Sequence, residues 1–137
     1  MENVPTCQES RIECIKPLKF QIIEVHDALI TLSENSLDVS IKHESLTLSE
    51  QICDLSFHTL LITWYDILKY INIVSKTMQS KSMDLGTVIP LLKSCTEFLT
   101  DYRMNGFEKA KVDGIELSKL LNVEPVFKEK RTRKKKF

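Results

Sequence analysis

The sequence predicts an all-α fold, an irregular bundle of about five helices followed by a disordered basic C-terminal tail. Apolar residues recur at steps of three and four along most of the chain, which is the period of an α-helix. Strand-like alternation is not found, and the low content of aromatic residues (7%), glycine (three) and proline (four) is unlike that of a turn-rich β-sandwich. The 137 residues suffice for one domain with a buried core.

The first helices are placed by proline and by capping residues. A long helix is expected at residues 17–34, because Pro17 is tolerated in the first turn of a helix but not in its interior. A shorter helix at residues 39–53 follows, with Asp38 or Ser40 as its N-cap.

The third predicted helix, residues 54–80, is the most apolar segment of the chain. A heptad seam of apolar residues, with spacings of four and three, runs through it at Cys53, Phe57, Leu60, Trp64, Ile67, Ile71, Val74 and Met78. Apolar residues also occupy its other faces, at Leu61, Ile62, Tyr65 and Leu68. A helix that is apolar all round is normally surrounded by other helices, so we interpret it as the central helix of the bundle, with Trp64 and Tyr65 in the core. The alternative is an interface in which the seam from Phe57 to Met78 pairs two copies of the chain.

Two further helices are expected near the C-terminus. The fourth is predicted at residues 85–103, capped by Ser82 or Asp84, with Pro90 one turn inside. The Asn105–Gly106 pair is a typical helix stop, so a separate fifth helix is predicted at residues 107–121.

The charge distribution divides the chain into three regions, a polar leader at residues 1–10, a helical domain at 11–125 and a basic tail at 126–137. Residues 128–137 hold seven of the 19 basic residues and one of the 19 acidic ones, which leaves 12 bases and 18 acids in the rest of the chain. A run this dense is typical of a nuclear-import signal or a contact to a phosphate backbone. The candidate residues are Lys130, Arg131, Arg133, Lys134, Lys135 and Lys136.

Residue patterns typical of catalytic or metal sites are not found. The three histidines, His26, His43 and His58, are scattered over different predicted helices, and no two cysteines or histidines have the spacing of a metal site. The carboxylate pairs Glu24/Asp27 and Asp113/Glu116 are three residues apart, as surface acids often are. We therefore expect no enzymatic activity, cofactor, metal or small-molecule substrate.

The sequence also indicates the cellular compartment in which the protein is expected. Four sparse cysteines, Cys7, Cys14, Cys53 and Cys95, suggest free thiols in a reducing compartment rather than a disulfide framework. Polar residues interrupt the longest apolar stretch, so no membrane span is predicted. With the basic tail, a nuclear location is expected, and a cytoplasmic one is the alternative.

Several phrases together resemble the zinc finger MYM-type protein 1-like group, relatives of the hAT-superfamily DNA transposases. They are "RIECIKPLKFQIIEVHDAL", "HESLTLSEQICDLSF", "WYDILKYINIVSKTMQSKSMDLGTVIPLLKS", "FLTDYRMNGFEKA" and "EPVFKEKRTRKKK". The resemblance implies that the chain is part of the long helical insertion that interrupts an RNase H-like catalytic domain with three metal-binding carboxylates. The family enters this region through a Thr-Arg-Trp phrase, whereas the corresponding stretch here, "TCQESR", has no tryptophan.

Three functional hypotheses follow. The first is a non-catalytic helical insertion fragment of an hAT transposase-like protein, serving as scaffold for the missing RNase H-like domain. The second is a free-standing helical module for protein–protein interaction or dimerisation. The third is nuclear nucleic-acid binding, with DNA contacted through the basic tail. For a fully buried Trp64, the Trp64→Ala substitution is expected to cost about 3–5 kcal/mol, whereas a cost below about 0.5 kcal/mol would place this side chain on the surface.

Overall fold

The computed structural model describes residues 7–81 and 84–129, and over these ranges it is all-α, as predicted. The helices are α1 (Cys7–Phe20), α2 (Ile22–Asn35), α3 (Val39–Ile52), α4 (Leu55–Met78), α5 (Leu85–Asp101), a π-helical segment (Tyr102–Gly106) and α6 (Phe107–Leu120). No strand occurs among the described residues. The predicted import or nucleic-acid residues of the tail, from Lys130 to Lys136, lie outside the described residues, as does the predicted disorder from residue 130 onward.

Three aspartates begin three of the helices. The side chains of Asp38, Asp54 and Asp84 accept hydrogen bonds of 2.8 to 2.9 Å from backbone N–H groups of the first turn, those of Ser40, Ser56 and Thr87 respectively. Each bond satisfies a donor that has no partner within the helix. Of the alternatives considered for the starts of α3 and α5, Asp38 and Asp84 are therefore the caps.

The prediction that the first long helix begins at Pro17 is wrong. Pro17 lies inside α1, not in the first turn of a helix, and the helix continues for three residues beyond it. The backbone is interrupted only at Gln21, where φ is −129° and ψ is 36°. Proline removes one hydrogen bond in a helix interior, and Ile12 and Leu18, on either side of Pro17, pack α1 against the core.

The predicted stop at Asn105–Gly106 is also wrong, because α5, the π-helical segment and α6 follow one another without a break. Gly106 has a right-handed φ of −68° and is buried. A Cβ there would lie 2.6 Å from ring carbons of Tyr102, so this position is a glycine because the ring packs directly on it. The true stop is Asn122, whose φ of 53° is the only positive value among the described non-glycine residues.

The long helix α4 runs antiparallel to the continuous α5–α6 segment. Tyr70 of α4 stacks on Phe98, with ring centroids 4.0 Å apart, and Asp66, one turn earlier, accepts a hydrogen bond from Tyr102. Nearer the start of α4, Thr59 is the closest neighbour of Gly114. As α4 is followed toward its N-terminus, its partners therefore move toward the C-terminus of α6.

The core lies where α1, α4 and α6 meet, and α2 packs on α3 beside it. Two clusters of buried side chains fill it, one made of Ile22, Ile52, Leu61, Ile62, Ala110 and Leu117 and the other of Ile12, Tyr65 and Leu68. Tyr65 is thus a core residue, as predicted.

The prediction that α4 is enclosed on every side is wrong. Leu60 is 57% exposed, Trp64 is 53% exposed, and Met78 is also exposed, so these seam residues do not belong to the core. Val74 is buried, and Phe57, Ile67 and Ile71 are half-buried. The neighbouring helices α1, α5 and α6 cover three sides of α4, and the fourth side, which carries the tryptophan, faces solvent.

Candidate functional site

The uncovered side of α4 is a continuous apolar stripe. Leu60, Trp64, Ile67, Ile71 and Met78 are separated by steps of four, three, four and seven residues, which place them on one face of a helix. The charged residues of α4, by contrast, are Asp66, Lys69 and Lys76, none of which occupies the stripe. An uncharged row of large side chains in contact with water is unusual for a monomeric protein surface.

Helix α5 carries two apolar rows, of which only one is covered. Half-buried residues three and four apart form the row that faces α4, at Val88, Leu91, Cys95, Phe98 and Tyr102. A second row lies one position later along the chain. Its apolar members, Ile89, Leu92 and Leu99, are exposed, Ile89 to 67%, and the exposed Thr96 and Arg103 continue the row. One neighbouring helix cannot cover both rows, and the described structure places no other helix over the second.

The exposed rows of α4 and α5 lie on the same side of the helix pair. On α4, Asp66 and Tyr70 contact the α5–π segment. The half-buried Ile67 and Ile71 of the stripe each follow one of them by one position. On α5 the exposed row follows the contacting row by one position as well. Two antiparallel helices are related by a local two-fold axis perpendicular to the plane that contains them. A rotation about this axis keeps each side of the pair on the same side. Rows that lie one position after the contacting residues on both helices are therefore on the same side of the pair.

We call this combined surface the α4–α5 face. It comprises Leu60, Trp64, Ile67, Ile71, Met78, Ile89, Leu92 and Leu99. The Tyr70–Phe98 stack fixes the relative height of the helices, so that Leu99 lies level with the middle of the α4 stripe. The heptad pattern predicted the α4 residues as core or interface residues, but the α5 residues were not predicted to belong to a site. The apolar residues of α5 cover a wider arc than one neighbouring helix can bury, and this width could have indicated them.

A polar network ties three helices together behind this face. The ammonium nitrogen of Lys19 lies 4.0 Å from the centre of the Tyr65 ring and 3.9 Å from an oxygen of Asp66. The Tyr102 hydroxyl donates a 3.2 Å hydrogen bond to the other oxygen of Asp66. Burial, and then the charge of Asp66, raise the pKa of Tyr102 to about 12, so the phenol keeps its proton at neutral pH and serves to hold the helices in place.

A buried histidine–serine pair joins α4 to α6. His58 has no exposed surface, and its Nδ1 lies 2.8 Å from the Ser118 hydroxyl. Its Nε2 donates a 2.6 Å hydrogen bond to the Ile52 carbonyl, which can only accept. Burial lowers the pKa of His58, the largest effect acting on it. A serine next to a histidine can act as a nucleophile, but both side chains here are closed to solvent and to any substrate.

A depression lies between α1 and α6, on another side of the molecule. Its volume is about 340 Å³, and it is lined by Lys19, Phe20, Ile62, Asp113, Glu116, Leu117 and Leu120. The carboxylates here, predicted to be surface acids, lie at the edge of a shallow, mainly apolar hollow.

Clusters suited to metal binding do not occur in the described ranges, where no three His, Cys, Asp or Glu side chains converge. His26 lies 3.6 Å from Asp27, and Cys14, Cys53 and Cys95 are free thiols. None of the helices in residues 7–81 and 84–129 is long and apolar enough to cross a membrane.

Comparison of the chain with models of protein families, with curated proteins and with solved structures finds no match.

Proposed function

We propose that this chain is a non-catalytic helical interaction module, and that it works through the α4–α5 face. The partner is a protein surface of matching character, an apolar and uncharged helix or helix pair. The observation that carries the proposal is the exposure of Trp64, the only tryptophan of the chain, which is half exposed within the α4 stripe.

The shape of the face supports a helical partner. Two antiparallel helices packed at roughly 8–10 Å leave a shallow groove between them, into which the side chains of a third helix fit. Ridges on either side of this groove come from Ile67 and Ile71 on α4 and from Leu99 and Leu92 on α5. Helix-in-groove binding of this kind draws its free energy from apolar anchors spaced three and four residues apart.

The composition of the face supports protein rather than nucleic acid or a small molecule as the partner. Tryptophan is among the residues that contribute most to the binding free energy of protein interfaces, and the face carries Trp64 among large aliphatic side chains. Phosphate backbones are contacted by lysine, arginine and other hydrogen-bonding groups, whereas seven of the eight residues of the face are leucine, isoleucine or methionine, whose side chains have no such group.

On the resemblance to the hAT transposase-like group, the module is a helical insertion fragment, and its scaffold role in a longer relative is to contact the RNase H-like domain. The same face serves both settings, since an apolar surface that is covered in a longer protein remains available for a partner when the module stands alone.

The test uses a fluorescein-labelled synthetic helix with leucines at every third and fourth position as a generic apolar partner. Anisotropy should report saturable binding to the full chain, and Trp64→Glu should weaken that binding by about tenfold or more, since a buried carboxylate would be unpaired. The matched control is Val112→Glu, because Val112 is similarly exposed but belongs to α6, outside the face. The absence of binding, or binding that Trp64→Glu leaves unchanged, contradicts the proposal.

A further inference from the structure

We infer that residues 130–137 of the basic tail bind back onto the body of the protein, in the hollow between α1 and α6, and that this contact withholds their positive charges from anionic partners. The inference concerns a surface other than the α4–α5 face and goes beyond the proposed function. It rests on the lining of the hollow, on the charges of the two parts of the chain and on the length of the segment.

The hollow combines an apolar surface with two carboxylates. Ile62 and Leu117, which are buried, and Phe20 and Leu120, which are exposed, provide the apolar part of its lining. Its volume of about 340 Å³ falls within the range of ligand sites, roughly 300–1,000 Å³. The hollow is therefore large enough to accept an apolar side chain.

The carboxylates are the uncompensated charges of the hollow. Neither Asp113 nor Glu116 has an ion-pair partner in the part of the chain that the structure describes. The third charged residue of the lining, Lys19, is already held, because its ammonium nitrogen lies 3.9 Å from Asp66 and 4.0 Å from the centre of the Tyr65 ring. The hollow thus favours a ligand in which an apolar group adjoins positive charges.

The sequence of residues 130–137, "KRTRKKKF", has both features. Six of its eight residues are lysine or arginine, and Phe137 follows three consecutive lysines. The Phe137 ring enters the hollow, and the neighbouring ammonium groups reach the two carboxylates. Residues 1–127, with 12 bases and 18 acids, have a formal charge of −6, and residues 128–137, with seven bases and one acid, have a formal charge of +6. The two parts of the chain therefore attract each other beyond the direct contacts.

The segment is long enough to reach the hollow. The described part of the tail passes α6 at Lys111, whose ammonium nitrogen lies 5.9 Å from the centre of the Phe127 ring. Lys111 and Asp113 are two positions apart and so lie on opposite sides of α6. The path halfway around a helix that is roughly 10–12 Å wide is roughly 16–19 Å. Eight extended residues span up to roughly 26–29 Å.

Tethering explains why the occupant is this segment and not a free peptide. The hollow is shallow, and ion pairs at a protein surface contribute little to binding. A segment joined to the body by a short linker, however, has an effective concentration in the millimolar range. A dissociation constant of about 0.1 mM would then keep it bound about nine-tenths of the time. While bound, its basic residues are withheld from a phosphate backbone.

The experiment is limited trypsin digestion of the full chain, followed by intact-mass measurement, because trypsin cleaves after lysine and arginine only where the chain is free. The double variant Asp113→Asn/Glu116→Gln should lose residues of the tail about tenfold faster than the wild type, since the contact is broken. The matched control, Glu24→Gln/Asp27→Asn, removes the same charge at the same spacing from exposed positions of α2 and should be cleaved at the wild-type rate.

A second variant changes the segment and leaves the body intact. Phe137→Ser keeps every trypsin site and should also be cleaved faster than the wild type, because the apolar contact is lost. Circular dichroism of each variant establishes that it is folded. Release should also appear as stronger binding of a labelled oligodeoxythymidine of about 12 nucleotides, which we expect for Asp113→Asn/Glu116→Gln but not for the control pair.

The outcomes decide the inference independently of the α4–α5 face, which the leucine helix tests separately. Equal cleavage rates for the wild type, the double variant and Phe137→Ser overturn it. A control pair that accelerates cleavage as much as the double variant also overturns it, since the attraction would then be unrelated to the hollow. Faster cleavage of the double variant with unchanged oligonucleotide binding overturns the claim that the contact withholds the positive charges.

Discussion

The imidazole of His58 and the hydroxyl of Ser118 lie 2.8 Å apart with no exposed surface on either residue. They join the first turn of α4 to the last turn of α6, 60 residues later in the chain. The Ser118 oxygen is also 3.0 Å from the Gly114 carbonyl, so its single hydrogen has two acceptors when the imidazole is neutral. Because of this hydrogen bond, the packing of α6 on α4 depends on the protonation state of the buried His58.

The stability of the protein should therefore fall under mildly acidic conditions, in part through His58. Burial holds its folded-state pKa below the ordinary value, which is about 6.5 in an unfolded chain. Below that pH the unfolded state binds a proton that the folded state resists, so the free energy of unfolding decreases until the folded-state pKa is reached. Chemical denaturation at a series of pH values should show a smaller loss for His58→Gln than for the wild type. His43→Gln, at an exposed position of α3, is the control and should behave like the wild type; equal slopes for all three would contradict the prediction.

The close approach of α4 and α6 at Gly114 should make this position intolerant of larger side chains. A Cβ there would lie 3.1 Å from the Thr59 hydroxyl oxygen and 3.2 Å from its backbone nitrogen, which cannot move alone. We expect Gly114→Val to lower the free energy of unfolding by about 1–3 kcal/mol, measured by urea denaturation.

Gly86 provides the comparison, because it lies in the first turn of α5 and a Cβ there would meet only the Asp84 side chain, at 3.6 Å. Gly86→Ala should stabilise the protein by about 0.5–1 kcal/mol through helix propensity and reduced unfolded-state entropy. A stabilising Gly114→Val would show that the two helices do not pack as described.

The π-helical segment should depend on the pairing of Gly106 with Tyr102. The Tyr102 ring cannot move aside without losing its hydrogen bond to Asp66 and its contact with Phe98. Gly106→Ala should therefore cost about 1–3 kcal/mol in the wild-type background. In a Tyr102→Ala background the same change should be neutral or stabilising, since only the helix-propensity gain remains. A double-mutant cycle without a coupling free energy would refute this account.

The inside and outside of α4 should be distinguished by a pair of alanine substitutions. Ile62 is 1% exposed and packs in the core, so Ile62→Ala should lower the free energy of unfolding by about 2–5 kcal/mol. Trp64→Ala should cost no more than about 1 kcal/mol in the monomer, because half of the ring is already in water and alanine favours the helix. Measurement at low concentration is required, and a Trp64→Ala cost of 3 kcal/mol or more would restore the core interpretation.

These contrasts show which features the sequence determines. Local chemistry limits each of two caps to a pair of residues that includes Asp38 or Asp84, and it predicts the approximate length of α4, since a carboxylate before a helix and a run of apolar residues act within a few positions. The orientation of α4 was not predictable in the same way, because Leu60 and Trp64 are as apolar as Leu61 and hydrophobicity alone does not choose between the faces.

Contacts between distant residues account for the other errors. Gly106 looks like a helix stop when only its neighbours are considered, whereas the structure uses it to accommodate the Tyr102 ring, which α4 holds through Asp66. His58 sits four residues before Ile62 and seven before Tyr65, a spacing that places it on the buried side of the helix. That spacing becomes informative only once the buried side is known.

The most direct test of the account is the fluorescence of Trp64, because it is the only tryptophan and belongs to the α4–α5 face. At low concentration its emission should be red-shifted and readily quenched by acrylamide, as for an indole in contact with water. When the unlabelled leucine helix is added and binds, the emission should shift to the blue and the quenching should weaken, and Leu92→Glu should abolish both changes. A blue-shifted, poorly quenched Trp64 at the lowest concentration, unchanged by Leu92→Glu, would contradict the claim that this side of α4 is open and binds a partner.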